Sequence, residues 1–79
     1  PTIVALRSKM EAIAGSELEK TLQTLRHLPE TDRDAMVRMM QAIINKIMHN
    51  PTRLLKSDSS HINKSAYLDF TRRLFKLDE

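Results

Sequence analysis

The chain is 79 residues long, contains no cysteine and carries a formal net charge of +3 at pH 7, with acidic and basic residues interspersed. A chain this short buries only about 60% of the surface that its unfolded form exposes, so its own core is marginal. The lack of cysteine excludes disulfides, thiolate catalysis and cysteine-based zinc sites. Association with another chain is the remaining route to a stable fold.

The composition is typical of helices: glycine occurs once, aromatic residues make up 4% of the chain, and no segment alternates apolar and polar residues over strand length. We therefore expect an all-α domain spanning residues 1–79, a small bundle of about three main helices and one short helix, completed by dimerisation. The chain begins at Pro1, with no charged leader and no apolar run long enough to cross a bilayer. This start indicates a segment of a larger cytosolic protein.

The first predicted helix runs from Thr2 to about Arg26, and Pro29 ends this region. Its apolar residues recur at gaps of three and four, the helical pattern: Ile3, Leu6, Met10, Ile13, Ala14, Leu18, Leu22 and Leu25. At 100° per residue this apolar stripe migrates around the helix, so its two halves meet different neighbours. Gly15 lies near the crossover, and a tight helix contact would explain a residue that costs about 1 kcal/mol in a helix interior.

The second predicted helix begins at Thr31, which forms a capping box with Asp34. It continues to about His49 and stops at Asn50, because a residue that precedes proline, here Pro51, is disfavoured in the helical conformation. Eight apolar residues cover about half of its circumference: Met36, Val37, Met39, Met40, Ile43, Ile44, Ile47 and Met48. An ordinary surface helix has an apolar stripe about 100° wide, so this helix is expected to bury two flanks.

Pro51 opens a short helix that reaches Lys56, since its fixed φ suits the first helical position. Residues Ser57 to Ser60 are expected to form a loop, and the last helix starts near Ser60 or His61. Its main apolar stripe contains Ile62, Ala66, Phe70, Leu74 and Leu77, with Tyr67 at the edge. Leu68 and Phe75 form a second apolar patch that a monomeric helix would not leave uncovered.

The chain carries no arrangement typical of catalysis. His27, His49 and His61 lie far apart, and none has a second histidine or a carboxylate at metal-ligand spacing. The sequence also lacks a glycine-rich phosphate loop, a nucleophile elbow and a zinc-protease helix. We therefore predict no catalytic, cofactor-binding or metal-binding residue in this segment.

Besides a monomeric helical adaptor, two non-catalytic functions remain. The first is helical RNA binding, because the stretch from Arg38 to Lys64 has five basic residues against one acid, Asp58. That stretch lacks the aromatic stacking platforms that RNA readers usually have. The second is two-fold pairing, in which one flank of the second helix closes the monomer core and the other meets its own copy. The predicted interface contains Leu6, Met10, Ile13, Met40, Ile43, Ile47, Leu68 and Phe75.

Four stretches of the chain, in this order, carry a family resemblance: PTIVALRSKMEAI, SELEKTL, IINKIMHNPTRLLK and LFKLDE. Together they resemble the C-terminal dimerisation domain of glutamyl-tRNA reductase. The most specific part is the N-K-x-x-H-x-P run formed by Asn45, Lys46, His49 and Pro51. Two roles are open for Lys46 and His49: contact with tRNA, or support of the loop before Pro51. The structural role is favoured.

The resemblance implies a parent enzyme that uses NADPH to reduce the glutamate of glutamyl-tRNA to glutamate-1-semialdehyde, the entry to tetrapyrrole (porphyrin) biosynthesis. The catalytic and nucleotide-binding domains of that family precede this segment, so no catalytic residue is carried over to it. The implied role is mechanical: the domain pairs two subunits into a homodimer and leaves room for tRNA and for glutamate-1-semialdehyde aminomutase. The parent is expected to be cytoplasmic.

Overall fold

The computed structural model describes residues 1–56 and 64–78, and this part of the chain contains three helices and no strand. They are α1 (Thr2–Thr24), α2 (Glu30–Lys56) and α3 (Lys64–Leu74). The all-α class is therefore confirmed. The predicted loop from Ser57 to Ser60, the start of the last helix near Ser60 or His61, and Ile62 lie outside the described residues.

Helix α1 starts where the pattern predicts and ends two residues before the predicted Arg26. The Pro1 carbonyl accepts a hydrogen bond from the Ala5 amide at 3.0 Å, and Leu25 closes the last turn with φ −104° and ψ 55°. A Cβ atom added at Gly15 would meet nothing within 4 Å. The explanation of Gly15 by a tight helix contact is therefore wrong for a single copy of the chain.

Helix α2 begins at Glu30, one residue before the predicted start. The Pro29 carbonyl accepts hydrogen bonds from the amides of Asp32 and Arg33 at 3.0 and 3.1 Å, so it supplies the first acceptor of the helix. Thr31 consequently lies inside the first turn, and its assignment as the residue of a capping box is wrong. Glu30 and Asp32 place negative charge in that turn, where the helix dipole favours it.

The predicted stop at Asn50 is also wrong, because α2 continues through Pro51 to Lys56. Consequently there is no separate short helix and no loop before Pro51 for Lys46 and His49 to support. Proline in a helix interior removes one backbone hydrogen bond and strains the preceding turn. The continuation brings Leu55 to a buried position, 4% exposed, and this burial offsets part of the cost.

The core is small and lies between α1 and α2. Leu6, Ile44 and Met48 form its buried cluster, and Leu6 is 0% exposed. Partly buried side chains packed around this cluster are Ile3, Met10, Ala14, Met40 and Leu77. A hydrogen bond of 2.9 Å from the Arg7 guanidinium to the Asn45 side-chain oxygen joins the two helices at the edge of the core.

Helix α3 and the C-terminal turn, residues 75–78, are tied to the start of α1. Arg72 donates hydrogen bonds to the Thr2 hydroxyl at 3.0 Å and to Asp78 Oδ1 at 2.7 Å. Lys76 has a positive φ of 53°, and the Leu77 amide reaches back to the Arg72 carbonyl at 2.9 Å, an arrangement that closes helix ends. Lys9 Nζ donates to the Lys76 carbonyl at 3.1 Å. These bonds fix the rotation of α3 about its axis.

The molecule is elongated. Its radius of gyration is 16.0 Å, whereas a compact domain of this length has about 12 Å. Its accessible surface is 6211 Å², whereas a compact monomer of 9.1 kDa exposes about 4,900 Å². A single copy therefore exposes about 1,300 Å² more than a compact protein of its size.

Candidate self-association surface

One flank of α2 faces the core and the other is an exposed apolar ridge. The core flank carries Ile44, Met48 and Leu55, all buried. The exposed ridge consists of Met39 (56% exposed), Ile43 (49%), Ile47 (52%) and Leu54 (47%). These residues follow each other at intervals of four and seven, so they share one side of the helix. The wide apolar arc of α2 therefore uses one flank within the copy and leaves the other uncovered.

A groove of about 300 Å³ lies at the N-terminal end of the exposed ridge. It runs between α1 and α2, and we call it the methionine groove; its apolar lining includes Ala14, Leu18, Met36, Met39, Met40 and Ile43. Glu17 also lines it, and Ile13, 58% exposed, precedes Glu17 by one helical turn. Unbranched thioether side chains adapt their shape to what covers them.

A larger groove, of about 550 Å³, lies at the C-terminal end of the same ridge. It runs between α2 and α3, and we call it the α3 groove; its lining includes Pro51, Leu54, Tyr67, Phe70, Leu74 and Phe75. The methionine groove, the exposed ridge and the α3 groove together form one apolar strip. Monomeric proteins rarely leave an apolar surface of this extent uncovered.

Two large residues of the predicted main stripe of α3 are exposed in a single copy. Phe70 and Leu74 are 69% and 77% exposed; of the predicted second patch, Leu68 is half-buried and Phe75 is 37% exposed. The hydrogen bond from Arg72 to Thr2 joins the side of α3 that carries Leu68 to α1. The hydrophobic periodicity of the sequence carries no information about a polar contact such as the one between Arg72 and Thr2.

The predicted interface residues are distributed between the core and this strip. Leu6 is fully buried within one copy, and Met10 and Met40 pack against the core cluster. Ile13, Ile43 and Ile47 are exposed, the last two on the ridge. The predicted interface lacks five exposed residues of the strip: Met39, Leu54, Tyr67, Phe70 and Leu74. These residues belong to the apolar pattern of the sequence, but that pattern does not distinguish an exposed flank from a buried one.

The polar side of α2 borders the apolar strip, because Lys46 follows Met39 at an interval of seven. Arg38, Lys46 and Arg53 are exposed there, together with His49. Over the described residues these three cations join none of the ion pairs, which are Lys20–Glu17, Arg72–Asp78 and Arg73–Asp69. No aromatic side chain stands in α2. The basic stretch thus forms a solvated face without the stacking platforms of an RNA reader.

Arg72 and Asp78 shift each other's pKa, and their contact is structural. Within the described part of the chain, the hydrogen bond from Arg72 holds the pKa of Asp78 below its ordinary value, and the same bond raises the pKa of Arg72. His27 and His49 are exposed, and His61 lies outside the described residues. Across residues 1–56 and 64–78, no three His, Asp or Glu side chains are grouped to hold a metal ion. In the same part of the chain, no helix has an apolar stretch that could cross a lipid bilayer.

Comparison with known proteins agrees with a self-association surface. Residues 1–77 match the family model described as glutamyl-tRNAGlu reductase, dimerisation domain. The chain is 46% identical over 77 residues to a glutamyl-tRNA reductase of Syntrophobacter fumaroxidans, covering 98% of the chain and 17% of that relative. It is 45% identical over 78 residues to the enzyme of Syntrophotalea carbinolica, covering 99% of the chain and 18% of that relative.

A similar relation holds with the glutamyl-tRNA reductase of Geobacter sulfurreducens, 43% identical over 77 residues, which covers 98% of the chain and 18% of that protein. The chain thus spans less than a fifth of the length of these relatives. No solved structure matches it significantly. None of these findings supports the RNA-binding alternative. The match over residues 1–77 and the identity to these enzymes show that the chain belongs to the glutamyl-tRNA reductase dimerisation-domain family.

Proposed function

We propose that this chain joins two copies of itself through the apolar strip and thereby pairs two subunits of a glutamyl-tRNA reductase. The observation that carries the proposal is the exposed ridge of α2, which leaves four large apolar side chains uncovered at one side of a single copy. Burying one such side chain contributes roughly 1.5 to 3 kcal/mol, so several of them, counted in both copies, offset the entropy lost on association.

In this proposal Ile13, Ile43 and Ile47 make direct contact with the partner copy. Met10 and Met40 line the transition from core to interface, and Leu6 supports them from beneath. Leu68 contributes from α3, and Phe75 contributes from the C-terminal turn that follows it. The surplus of exposed surface supports the proposal, because about 1,300 Å² per copy exceeds the roughly 800 Å² that each partner gives to a standard interface.

For the parent enzyme we propose the activity that its relatives' name describes, reduction of glutamyl-tRNA, with NADPH as reductant and glutamate-1-semialdehyde as product. Those steps belong to parts of the protein other than this segment. The domain would hold two catalytic arms at a fixed separation, with room for the tRNA and for glutamate-1-semialdehyde aminomutase. Because aminoacylated tRNA is its substrate, we place the enzyme in the cytoplasm.

Sedimentation equilibrium over a wide dilution range tests the pairing. The wild-type chain is expected to show the mass of two copies that dissociate on dilution. Ile43→Lys places a charge on the exposed ridge and should weaken the dimer by roughly 30-fold or more, because it removes one large apolar contact from each copy. Gln41→Lys, at an exposed position on the opposite side of α2, about 160° around the helix from Ile43, is the matched control. A folded wild-type monomer at high concentration would overturn the proposal.

A further inference from the structure

We infer that the two copies pair with their α2 helices antiparallel, so that Phe70 and Leu74 of one copy cover the methionine groove of the other. This inference rests on the proposed dimerisation and adds an orientation and a set of contacts to it. The α3 groove, which is the larger of the two grooves, then belongs to the same interface as the exposed ridge.

Four apolar residues of α2 lie symmetrically about residue 45, and the remaining ridge residue, Met39, falls opposite Pro51, which lines the α3 groove. Met36 and Leu54 lie nine positions to either side of residue 45, and Ile43 and Ile47 lie two positions to either side. At 100° per residue, these four positions fall within about 40° of one another around the helix. In a two-fold interface, if residue i contacts residue j of the partner, then j contacts i. A two-fold axis that crosses α2 near residue 45 pairs Met36 with Leu54 and Ile43 with Ile47.

The charges along α2 favour the same orientation. Residues 30–44 carry three acids and two arginines, Arg33 and Arg38, whereas residues 46–56 carry Lys46, Arg53 and Lys56 and no acid. An antiparallel pair places the half with a net charge of −1 opposite the half with a net charge of +3, and the two helix dipoles oppose each other favourably. A parallel pair would place three carboxylates beside their own copies, where like charges repel.

The grooves are complementary under this symmetry. The methionine groove is lined by residues of α2 from Met36 to Ile44, and the α3 groove by residues from Asn50 to Leu55. Reversal about residue 45 brings these two stretches opposite each other. Phe70 and Leu74 stand at the α3 groove as exposed side chains, and the flexible methionines opposite them provide a surface that adapts to an aromatic ring.

The exposed area fits a contact that covers the whole strip. If each copy covers its surplus of about 1,300 Å², the pair buries about 2,600 Å², within the 2,000–5,000 Å² range of obligate dimers. The exposed ridge alone would leave the α3 groove, of about 550 Å³, open.

Cross-linking between copies tests the orientation, since the chain has no cysteine of its own. One copy carries Met36→Cys and the other Leu54→Cys, with a mass tag on one of them, and a thiol cross-linker spans the roughly 10 Å between packed helix axes. We expect the mixed dimer to cross-link and each variant alone to remain uncross-linked. In the antiparallel pair, a position 36 and its own copy are 18 residues apart along the axis, about 27 Å. Cross-linking of either variant to itself, without the mixed product, would overturn the inference.

The position of Phe70 is tested separately by fluorescence, because the chain contains no tryptophan. We expect the emission of the Phe70→Trp variant to shift to shorter wavelength over the same concentration range in which its mass doubles. Val4→Trp is the matched control: Val4 is 61% exposed and lines neither groove, so its emission should stay that of a solvated indole. An unshifted emission at position 70 in a chain of doubled mass would refute the cover over the methionine groove.

The proposed dimer and its antiparallel orientation are contradicted by different outcomes. If the wild-type chain keeps the mass of one copy at all concentrations, the proposed function fails and the orientation fails with it. If the mass doubles but position 36 links to its own copy, only the antiparallel inference fails. If the mass doubles and the mixed cross-link and the spectral shift both occur, the proposed dimer and its antiparallel orientation are both supported.

Discussion

Arg72 determines which side of α3 remains exposed. Its guanidinium contacts Thr2 at the beginning of the chain and Asp78 near the end, and the side chain is 32% exposed. Planar guanidinium groups hold such paired contacts with little loss of freedom for each bond formed. The resulting rotation of the helix leaves Phe70 and Leu74 exposed, which neither residue's own hydrophobicity would predict.

The ion pair of Arg72 with Asp78 predicts a pH dependence. The pKa of Asp78 is lowered in the folded chain, so its contribution is fully present above the unfolded value of about 3.9 and is lost as the pH falls through the folded pKa. Urea unfolding of the wild type and of Asp78→Asn should therefore differ at neutral pH and converge in acid. A difference that stays constant down to pH 2 would contradict the assignment.

Gly15 offers a second test at a single position. It stands in the interior of α1, has no positive φ, and has open space where a Cβ would lie. Gly15→Ala should raise the free energy of unfolding by about 0.5 to 1 kcal/mol, because alanine loses less conformational freedom in a helix. Chemical denaturation measures the change, with Ser16→Ala at the next, exposed position as the comparison. A loss of stability would mean that a neighbour absent from a single copy closes on this position.

Among the helices, α1 was predicted most accurately because its pattern has no competing signal. The sequence indicated its start at Thr2 and its end within two residues. The prediction for α2 was less accurate at both ends. At each end, the expected capping or stop signal was outweighed by another contact. Pro29 provided the first acceptor in place of Thr31, and burial of Leu55 carried the helix past Pro51. Local residue preferences cannot weigh a contact with a distant segment.

Pro51 gives a prediction about α2. Its ring nitrogen has no hydrogen to donate, so the Ile47 carbonyl lacks the usual helical donor. Pro51→Ala should raise the free energy of unfolding by about 1 to 3 kcal/mol, since the residue restores that bond and removes the ring clash. Calorimetry measures the effect, and Thr52→Ala, also at a half-buried position, provides the comparison. An unchanged or lower stability would show that the proline ring itself packs in the α3 groove and contributes there.

For the molecule as a whole, sequence length and the wide apolar arc of α2 indicated that one copy could not bury its apolar residues. The structure agrees in its radius of gyration and in its surplus surface. The sequence does not indicate which flank of α2 is buried and which is exposed. Ile44 and Met48 lie in the core, whereas their immediate neighbours Ile43 and Ile47 lie on the ridge. That division depends on where α1 crosses α2.

An association-dependent fold predicts that stability depends on concentration. The midpoint of thermal unfolding of the wild-type chain should rise as its concentration increases, by the mass action of subunit binding. The Ile43→Lys variant should unfold at a lower temperature that does not change with concentration, whereas Gln41→Lys should behave as the wild type does. Calorimetric scans across a hundredfold dilution provide the measurement. A wild-type midpoint independent of concentration would indicate a self-sufficient monomer.

The contacts of Arg72 also mean that the beginning and the end of the described chain lie side by side, since one guanidinium contacts both Thr2 and Asp78. Chain ends that meet in this way tolerate circular permutation. A short linker could join them, and the connection between α1 and α2, residues 25–29, could be opened instead. We therefore expect a permuted protein that starts with α2 to form the same arrangement of three helices and to reproduce the same strip.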